Sequence, residues 1–376
     1  MIYKEFKKEK ISALGMGCMR FPLTGNDFSQ IDIDETRQLI DYAIKNGINY
    51  FDTAWGYHNG KSETVIGKIL KEYPRDSFYL ASKFPGYNTD NMSKVEEIFN
   101  EQLRKCQVEY FDFYLFHNVC EQNIDLYLDP QYGVYEYLVE QKKNGRIRHL
   151  GFSTHGTLET MKRFLDAYGK DMEFCQIQLN WLDWKVQNAK GKVDLLNEYN
   201  LPVWVMEPVR GGKLARLEPE YEEMLKAVRP VSVPEWAFRF TQSIPEVVMT
   251  LSGMSDMQQL TENIATFESE KPLTDDEKTK LFEVAKKMTE KDMLPCTACR
   301  YCVTDCPMEL NIPQIIELYN EYVYFNGGFL PPMVIKSLPD DKKPSACIGC
   351  RSCESVCPQN IKISEMMSDF TERLKK

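Results

Sequence analysis

The feature that most constrains this chain is an alternation. Eight short apolar runs rich in Val, Ile, Phe and Tyr punctuate residues 14–253: LGMGCMR (14–20), INYFDTA (48–54), FYLASKF (78–84), YFDFYLFH (110–117), IRHLGFST (147–154), FCQIQLN (174–180), PVWVMEPV (202–209) and EVVMTLSG (246–253). Helical patterns lie between them. In DIDETRQLIDYAIKNG (32–47) acidic residues fill the first turn, Leu39, Ile40, Ala43 and Ile44 are the apolar positions, and Gly47 is the stop. SETVIGKILKEYP (62–74), NMSKVEEIFNEQLRKCQV (91–108), YEYLVEQKKNG (135–145) and TLETMKRFLDAYG (157–169) repeat the scheme. Strand followed by helix, eight times over, predicts a parallel (β/α)8 barrel. A doubly wound open sheet is the alternative, but no GxGxxG follows the first strand.

A chain of 376 residues exceeds the usual ~100–200 per domain, so a large domain plus a small one is expected. The division reads as a barrel over 1–272, a charged helical linker over 273–294 and a second domain over 295–376. Within the last, NIPQIIELYNEYVYFNGGF (311–329) is a helix stopped by Gly327 and Gly328, and ISEMMSDFTERLKK (363–376) a short amphipathic one. A net charge of −10 without a basic stripe argues against nucleic acid or an anionic membrane surface as partner. No apolar span of ~20 residues occurs. Twelve cysteines in a chain without an export signal point to metal or redox use rather than disulfides, and to a cytoplasmic protein.

Eight of those cysteines form two combs, CTACRYCVTDCP (296–307) and CIGCRSCESVCP (347–358). Each has the spacing C-x2-C-x2-C-x3-C-P, the bacterial ferredoxin run, in which the fourth cysteine ligates the other cluster. One [4Fe–4S] cluster then takes Cys296, Cys299, Cys302 and Cys357; the second takes Cys347, Cys350, Cys353 and Cys306. Tetrahedral zinc is the alternative, but it favours separated C-x2-C pairs. Pro307 and Pro358 complete the match, which makes the C-terminal domain a small, mainly α-helical, ferredoxin-like module. Cys18, Cys106, Cys120 and Cys175 are scattered and read as small core residues.

Reactive side chains of such barrels stand at the C-terminal strand ends. There the chain offers Asp52 and Tyr57 (FDTAWGY), Lys83 (YLASK) and His117 (YFDFYLFH). An ammonium beside a phenol favours the phenolate and is expected to lower its pKa, while a carboxylate keeps the lysine charged and oriented. The histidine is placed to orient a carbonyl oxygen.

The pattern F-D-T-A-x-x-Y, then A-S-K, then F-H-N, resembles the aldo-keto reductases over roughly residues 1–270. The resemblance implies an NAD(P)H-dependent carbonyl reductase, with Tyr57 as general acid, Lys83 and Asp52 tuning it and His117 aligning a small carbonyl substrate. It also implies Ser153, Gln176 and Asn180 near the nicotinamide carboxamide, and Arg210 with the backbone of EPVRGGKL near the pyrophosphate. Gly253, Ser255, Gln259, Glu262 and Asn263 fall on the adenosine side. Three departures stand out: Ser153-Thr154 where Ser-Asn is frequent, Met206 where a tyrosine usually stacks, and no basic residue after the eighth strand. NAD and NADP both stay open.

The whole chain, barrel plus two-cluster module, resembles a subgroup of aldo-keto reductases from anaerobic bacteria and archaea. Hydride moves two electrons and a cluster moves one; no flavin fingerprint is present to join them, although barrels bind flavin mononucleotide without one. Three readings follow. The first is a carbonyl reductase whose clusters exchange electrons with a ferredoxin or flavodoxin, or sense redox state. The second is an electron-transfer or sensing protein whose barrel is a docking scaffold. The third makes the clusters structural. Trp55, Trp181 and Trp184 fall in loops that could shape the substrate pocket.

Overall fold

Each of the eight apolar runs contains a strand, and two further strands precede them. A computed structural model describes residues 1–290, 293–294, 296, 300–357 and 359–375. β1 (Tyr3–Phe6) and β2 (Glu9–Ser12) pair as an antiparallel hairpin. The barrel strands are β3 (Leu14–Gly17), β4 (Tyr50–Asp52), β5 (Tyr79–Phe84), β6 (Phe111–Val119), β7 (Ile147–Thr154), β8 (Cys175–Gln178), β9 (Val203–Met206) and β10 (Val247–Ser252). They close in sequence order, with β10 pairing β3 to seal the ring. All the pairings are parallel. Strands covered on both faces have no polar side to show, which is why β6, FDFYLFHNV, is buried along almost its whole length.

Tyr50, Ala81, Phe113, Leu115, Phe174, Trp204, Met249 and Leu251 belong to one buried cluster, together with Phe6 and Ile11 from the hairpin. Phe6 meets Trp204 edge-on at 5.0 Å and Phe113 at 5.8 Å. The hairpin therefore plugs the end of the barrel where the strands begin and leaves the other end for chemistry. The helix read at 32–47 spans Ile33–Lys45, with Asp32 accepting from the Glu35 amide at 2.9 Å as its N-cap. Cys18, Cys106, Cys120 and Cys175 are all buried.

The chain divides into two units, Met1–Phe282 and Glu283–Lys376, and the division falls inside the helix Asp275–Glu290. The second unit is helical, with Ile312–Tyr324, Leu330–Ser337 and Ile363–Arg373 as its longer helices. No helix among the described residues is long and apolar enough to cross a membrane.

Candidate functional site

Neighbouring strands β4, β5 and β6 deliver three of the four polar groups, and the loop after β4 delivers the fourth. Asp52 is the last residue of β4, Lys83 lies next to the end of β5 and His117 near the end of β6. The Lys83 ammonium is completely buried and donates to Asp52 Oδ1 at 2.5 Å, to the Thr53 carbonyl at 2.8 Å and to Tyr57 Oη at 3.3 Å. The His117 ring meets the Tyr57 ring edge-on at 6.1 Å, and Tyr87 meets His117 the same way at 5.2 Å. His117 Nδ1 is buried without a hydrogen-bond partner among the described residues. The structure thus brings together all four residues singled out in the sequence.

His58 fixes the loop that carries Tyr57. Its Nε2 accepts from the Phe21 amide at 3.2 Å, so Nδ1 carries the hydrogen that meets the Phe28 carbonyl at 2.8 Å. Phe28 stacks on its face at 4.4 Å. Burial lowers the pKa of His58, which keeps the ring neutral in this role. Its signal in the sequence was only a histidine beside the reactive tyrosine.

The electrostatics correct one expectation. The Tyr57 phenol is not lowered but pushed up to about 12. Burial is the largest influence and outweighs the downward pull of Lys83, with Asp52 adding to the rise. Lys83 is pulled down by burial but held above its ordinary value by Asp52 and the phenol, so it stays an ammonium. Burial also raises Asp52, against the opposing pull of Lys83. His117 is driven well below the usual histidine range by burial and by Lys83, and is a neutral imidazole. The assembly is a protonated phenol held by a cation, beside a neutral ring that can donate or accept.

Ser153, Gln176 and Met206 lie side by side on β7, β8 and β9. Ser153 and Gln176 are partners in register, and Gln176 Nε2 stands 3.6 Å from the Met206 sulfur. Ser153 Oγ accepts from the Asn118 amide at 2.9 Å. Gln176 Oε1 is buried and receives no hydrogen bond among the described residues. An orphaned buried acceptor suits an amide donor such as a carboxamide.

Asn180 and Arg210 converge on Asp183, a fully buried carboxylate that the sequence reading missed. Asp183 accepts from Asn180 Nδ2 at 2.6 Å, Gln178 Nε2 at 2.7 Å and Arg210 Nε at 3.0 Å. Arg210 is itself buried at 6 % exposure, whereas Arg20, in the loop after β3, is exposed. Arg20 spans the two loops expected to meet a dinucleotide. A Cβ on Gly253 would lie 2.6 Å from its Cγ, and one on Gly211 would lie 3.5 Å from its Nη2. Its carbonyl also accepts from Ser255 Oγ at 2.9 Å.

After β10, Asp256 caps the helix Met257–Thr266, accepting from the Gln259 amide at 2.8 Å and from Gln259 Nε2 at 2.6 Å. Gln259 Oε1 in turn accepts from the Ser255 amide at 3.0 Å. Glu262 is exposed and takes a bond from Gln258, while Asn263 turns inward to Ser252 Oγ at 3.2 Å. Trp181 is fully buried, and Trp55 and Trp184 are half-buried.

In the second unit, Cys306 lines one small pocket with Cys347, Cys350 and Cys353. These are the four cysteines that the crossed ligand pattern assigns together, three from one comb and one from the other. Among the described residues no three His, Cys, Asp or Glu side chains close on the position of one metal ion. Arg300 and Arg351 hold the same left-handed backbone conformation after the second cysteine of each comb, with φ of 67° and 61°. Of the other set, Cys302 is buried and Cys296 and Cys357 are half-buried, while Cys299 lies outside the described residues, as does Pro358.

A closed parallel barrel with a phenol, an ammonium and an imidazole gathered at its open end, on a chain that continues into two cysteine combs, defines a barrel oxidoreductase joined to an iron–sulfur module. Residues 13–286 match the model of the aldo/keto reductase family and residues 295–361 that of the 4Fe-4S dicluster domain. The chain belongs to the aldo/keto reductase family. It is 26% identical over 287 residues to the uncharacterized oxidoreductase YqkF of Bacillus subtilis, covering 68% of this chain and 86% of that one. The NADH-specific methylglyoxal reductase of Escherichia coli is 24% identical over 326 residues, covering 74% and 96%. Among solved structures, the holo form of aldo-keto reductase AKR11C1 from Bacillus halodurans superposes with a TM-score of 0.61 at 26% identity, covering 76% of this chain and 96% of that one.

Proposed function

We propose that the protein reduces an aldehyde or ketone with a nicotinamide dinucleotide, and that Tyr57 protonates the carbonyl oxygen. The observation that carries this reading is the 3.3 Å contact between Tyr57 Oη and a buried Lys83 ammonium. When bound, the nicotinamide supplies a hydride to the carbonyl carbon. His117 aligns the carbonyl oxygen toward Tyr57, with a neutral ring free to donate one hydrogen bond. As charge builds on that oxygen, the phenol hydrogen moves to it, and the phenolate left behind is stabilised by Lys83. Asp52 keeps that ammonium charged and in place.

Ser153, Gln176 and Met206 would hold the nicotinamide end, with the unsatisfied Gln176 Oε1 taking an amide hydrogen. Arg20 is better disposed than Arg210 to meet the pyrophosphate, because Arg210 is buried against Asp183. On the adenosine side Asp256 puts a carboxylate at the start of a helix, with no basic residue from Gly253 to Gln259. A 2′-phosphate there would meet like charge, so NADH is the favoured donor. The name of the Escherichia coli relative, NADH-specific, agrees with that preference.

The cysteine sets would hold two [4Fe–4S] clusters, a reading supported by the comb spacing and, for one set, by four thiols from two combs lining one pocket as the crossed ligand pattern expects. They exchange single electrons with a ferredoxin or flavodoxin, or register redox state. The test is Tyr57→Phe in anaerobically purified protein: carbonyl reduction should fall about 10²–10⁴-fold, to a small residual rate, while the visible absorption of the clusters is unchanged. Undiminished turnover would refute the assignment.

A further inference from the structure

Glu63 is a fully buried carboxylate with no part in the chemistry just described. It sits in the first turn of the helix Ser62–Leu70, directly after the loop that carries Tyr57. Its Oε1 accepts from Ser82 Oγ at 2.6 Å and from Gln102 Nε2 at 2.7 Å; its Oε2 accepts from the Lys105 ammonium at 2.7 Å. Burying a carboxylate is costly unless each oxygen is bonded and the charge is matched, and here both conditions are met.

What matters is what those partners hold. Ser82 immediately precedes Lys83, and Gln102 Nε2 also donates to the Lys83 carbonyl at 3.0 Å. Gln102 is fixed in turn by Tyr114, whose hydroxyl donates to its Oε1 at 2.5 Å. This arm grips the backbone of the strand end that carries the ammonium. The other arm runs through Lys105, whose Nζ lies 4.5 Å from the centre of the Trp55 ring. Trp55 is two residues before Tyr57, in the loop that carries the phenol. One carboxylate thus ties together the two segments whose side chains meet at 3.3 Å.

We propose that Glu63 is a positioning residue that sets the Tyr57–Lys83 contact, gripping β5 through Ser82 and Gln102 and the tyrosine loop through Lys105 and Trp55. The proposal rests on Tyr57 being the proton donor. A phenolate forming in the reaction is stabilised by the ammonium steeply with distance, so a small relaxation of either segment acts on turnover and not on substrate binding. A carboxylate that only supports the fold would lower stability and leave turnover per folded molecule alone.

The experiment is a double-mutant cycle between Glu63→Gln and Tyr57→Phe, read as kcat and KM on folded protein with one carbonyl substrate. Glu63→Gln alone should lower kcat about 10–100-fold with KM nearly unchanged. On the Tyr57→Phe background the same change should alter the residual rate by less than about twofold, because the contact it sets is already gone. Equal fractional losses in both backgrounds, or a wild-type kcat in Glu63→Gln, would overturn the proposal. Should Glu63→Gln not fold, Ser82→Ala removes one bond to the same oxygen and carries the same comparison. A Tyr57→Phe enzyme with full rate would overturn the functional reading and this inference together. An inactive Tyr57→Phe beside an unimpaired Glu63→Gln would overturn this inference alone.

Discussion

In the proposed mechanism Tyr57 can serve as an acid because burial keeps it protonated. With its pKa at about 12, the phenol keeps its hydrogen throughout the neutral range and yields it only when an alkoxide forms nearby. Two consequences follow for pH. Carbonyl reduction should show no decline from loss of the phenol hydrogen until pH approaches about 12. Alcohol oxidation needs the phenolate, so its rate should climb about tenfold per pH unit across the alkaline range, which steady-state rates in both directions would check. Replacing the lysine separates support from chemistry. Lys83→Met leaves the Asp52 carboxylate buried without its cation, which should cost ~3–5 kcal/mol in urea unfolding as well as activity. At this scale the identities of Asp52, Tyr57, Lys83 and His117 were legible, because each occupies a strand end or the loop behind it. The direction of the phenol shift was not. Proximity of the lysine can be inferred from strand order, but the larger influence, exclusion of water, depends on side chains from all around the barrel mouth. Asp183 was hidden for a related reason: its partners come from the end of β8 and from the segments after β8 and β9, and meet only once the barrel closes.

Strands and helices were readable where the apolar period was long, and least so where elements are short and polar. YKEF and EKIS, four residues each, carry no strand signal until Phe6 and Ile11 are seen to fill the barrel floor. The same hairpin contributes to an ionic knot. Glu173, just before β8, accepts from His149 Nδ1 of β7 at 2.7 Å, pairs with Lys142 at 3.3 Å and bonds the Lys7 ammonium of the hairpin turn. Burial raises its pKa, but His149, Lys7 and Lys142 outweigh that and bring it to about 2. A depressed carboxylate stabilises the fold fully above its unfolded value and loses that contribution as pH falls toward the folded one. Unfolding free energy should therefore drop by ~2–3 kcal/mol from this group between about pH 5 and 2, and the drop should shrink in Glu173→Gln. Helix packing makes a sharper demand at Gly67, where a Cβ would sit 2.6 Å from the Cys106 backbone. Gly67→Ala should part the helices Ser62–Leu70 and Val95–Cys106 and destabilise by about 1–3 kcal/mol in denaturant titration. At the helix Met257–Thr266, Asp256→Ser keeps a capping oxygen while removing charge, so NADPH use should rise relative to NADH with little change in melting temperature.

As a whole the molecule combines a barrel suited to moving electrons in pairs with a module suited to moving them singly. The comb spacing announced that module, which the 4Fe-4S dicluster match bears out, and Cys306 lines one pocket with Cys347, Cys350 and Cys353 of the other comb. Cys306→Ser should accordingly remove the cluster of the second comb, although the residue belongs to the first, and lower bound iron to about half by elemental analysis. What no spacing could reveal is the route by which reducing equivalents reach the carbonyl, since a hydride from nicotinamide and single electrons from clusters give the same alcohol. The two routes differ in where the new hydrogen on carbon originates. Anaerobic reduction of a carbonyl by nicotinamide cofactor carrying deuterium at its transferable position, followed by mass analysis of the product, reads this directly. The expected result is one deuterium on the product carbon, formed at a rate that collapses in Tyr57→Phe. Product carrying only solvent hydrogen at that carbon, formed equally well by Tyr57→Phe, would contradict it.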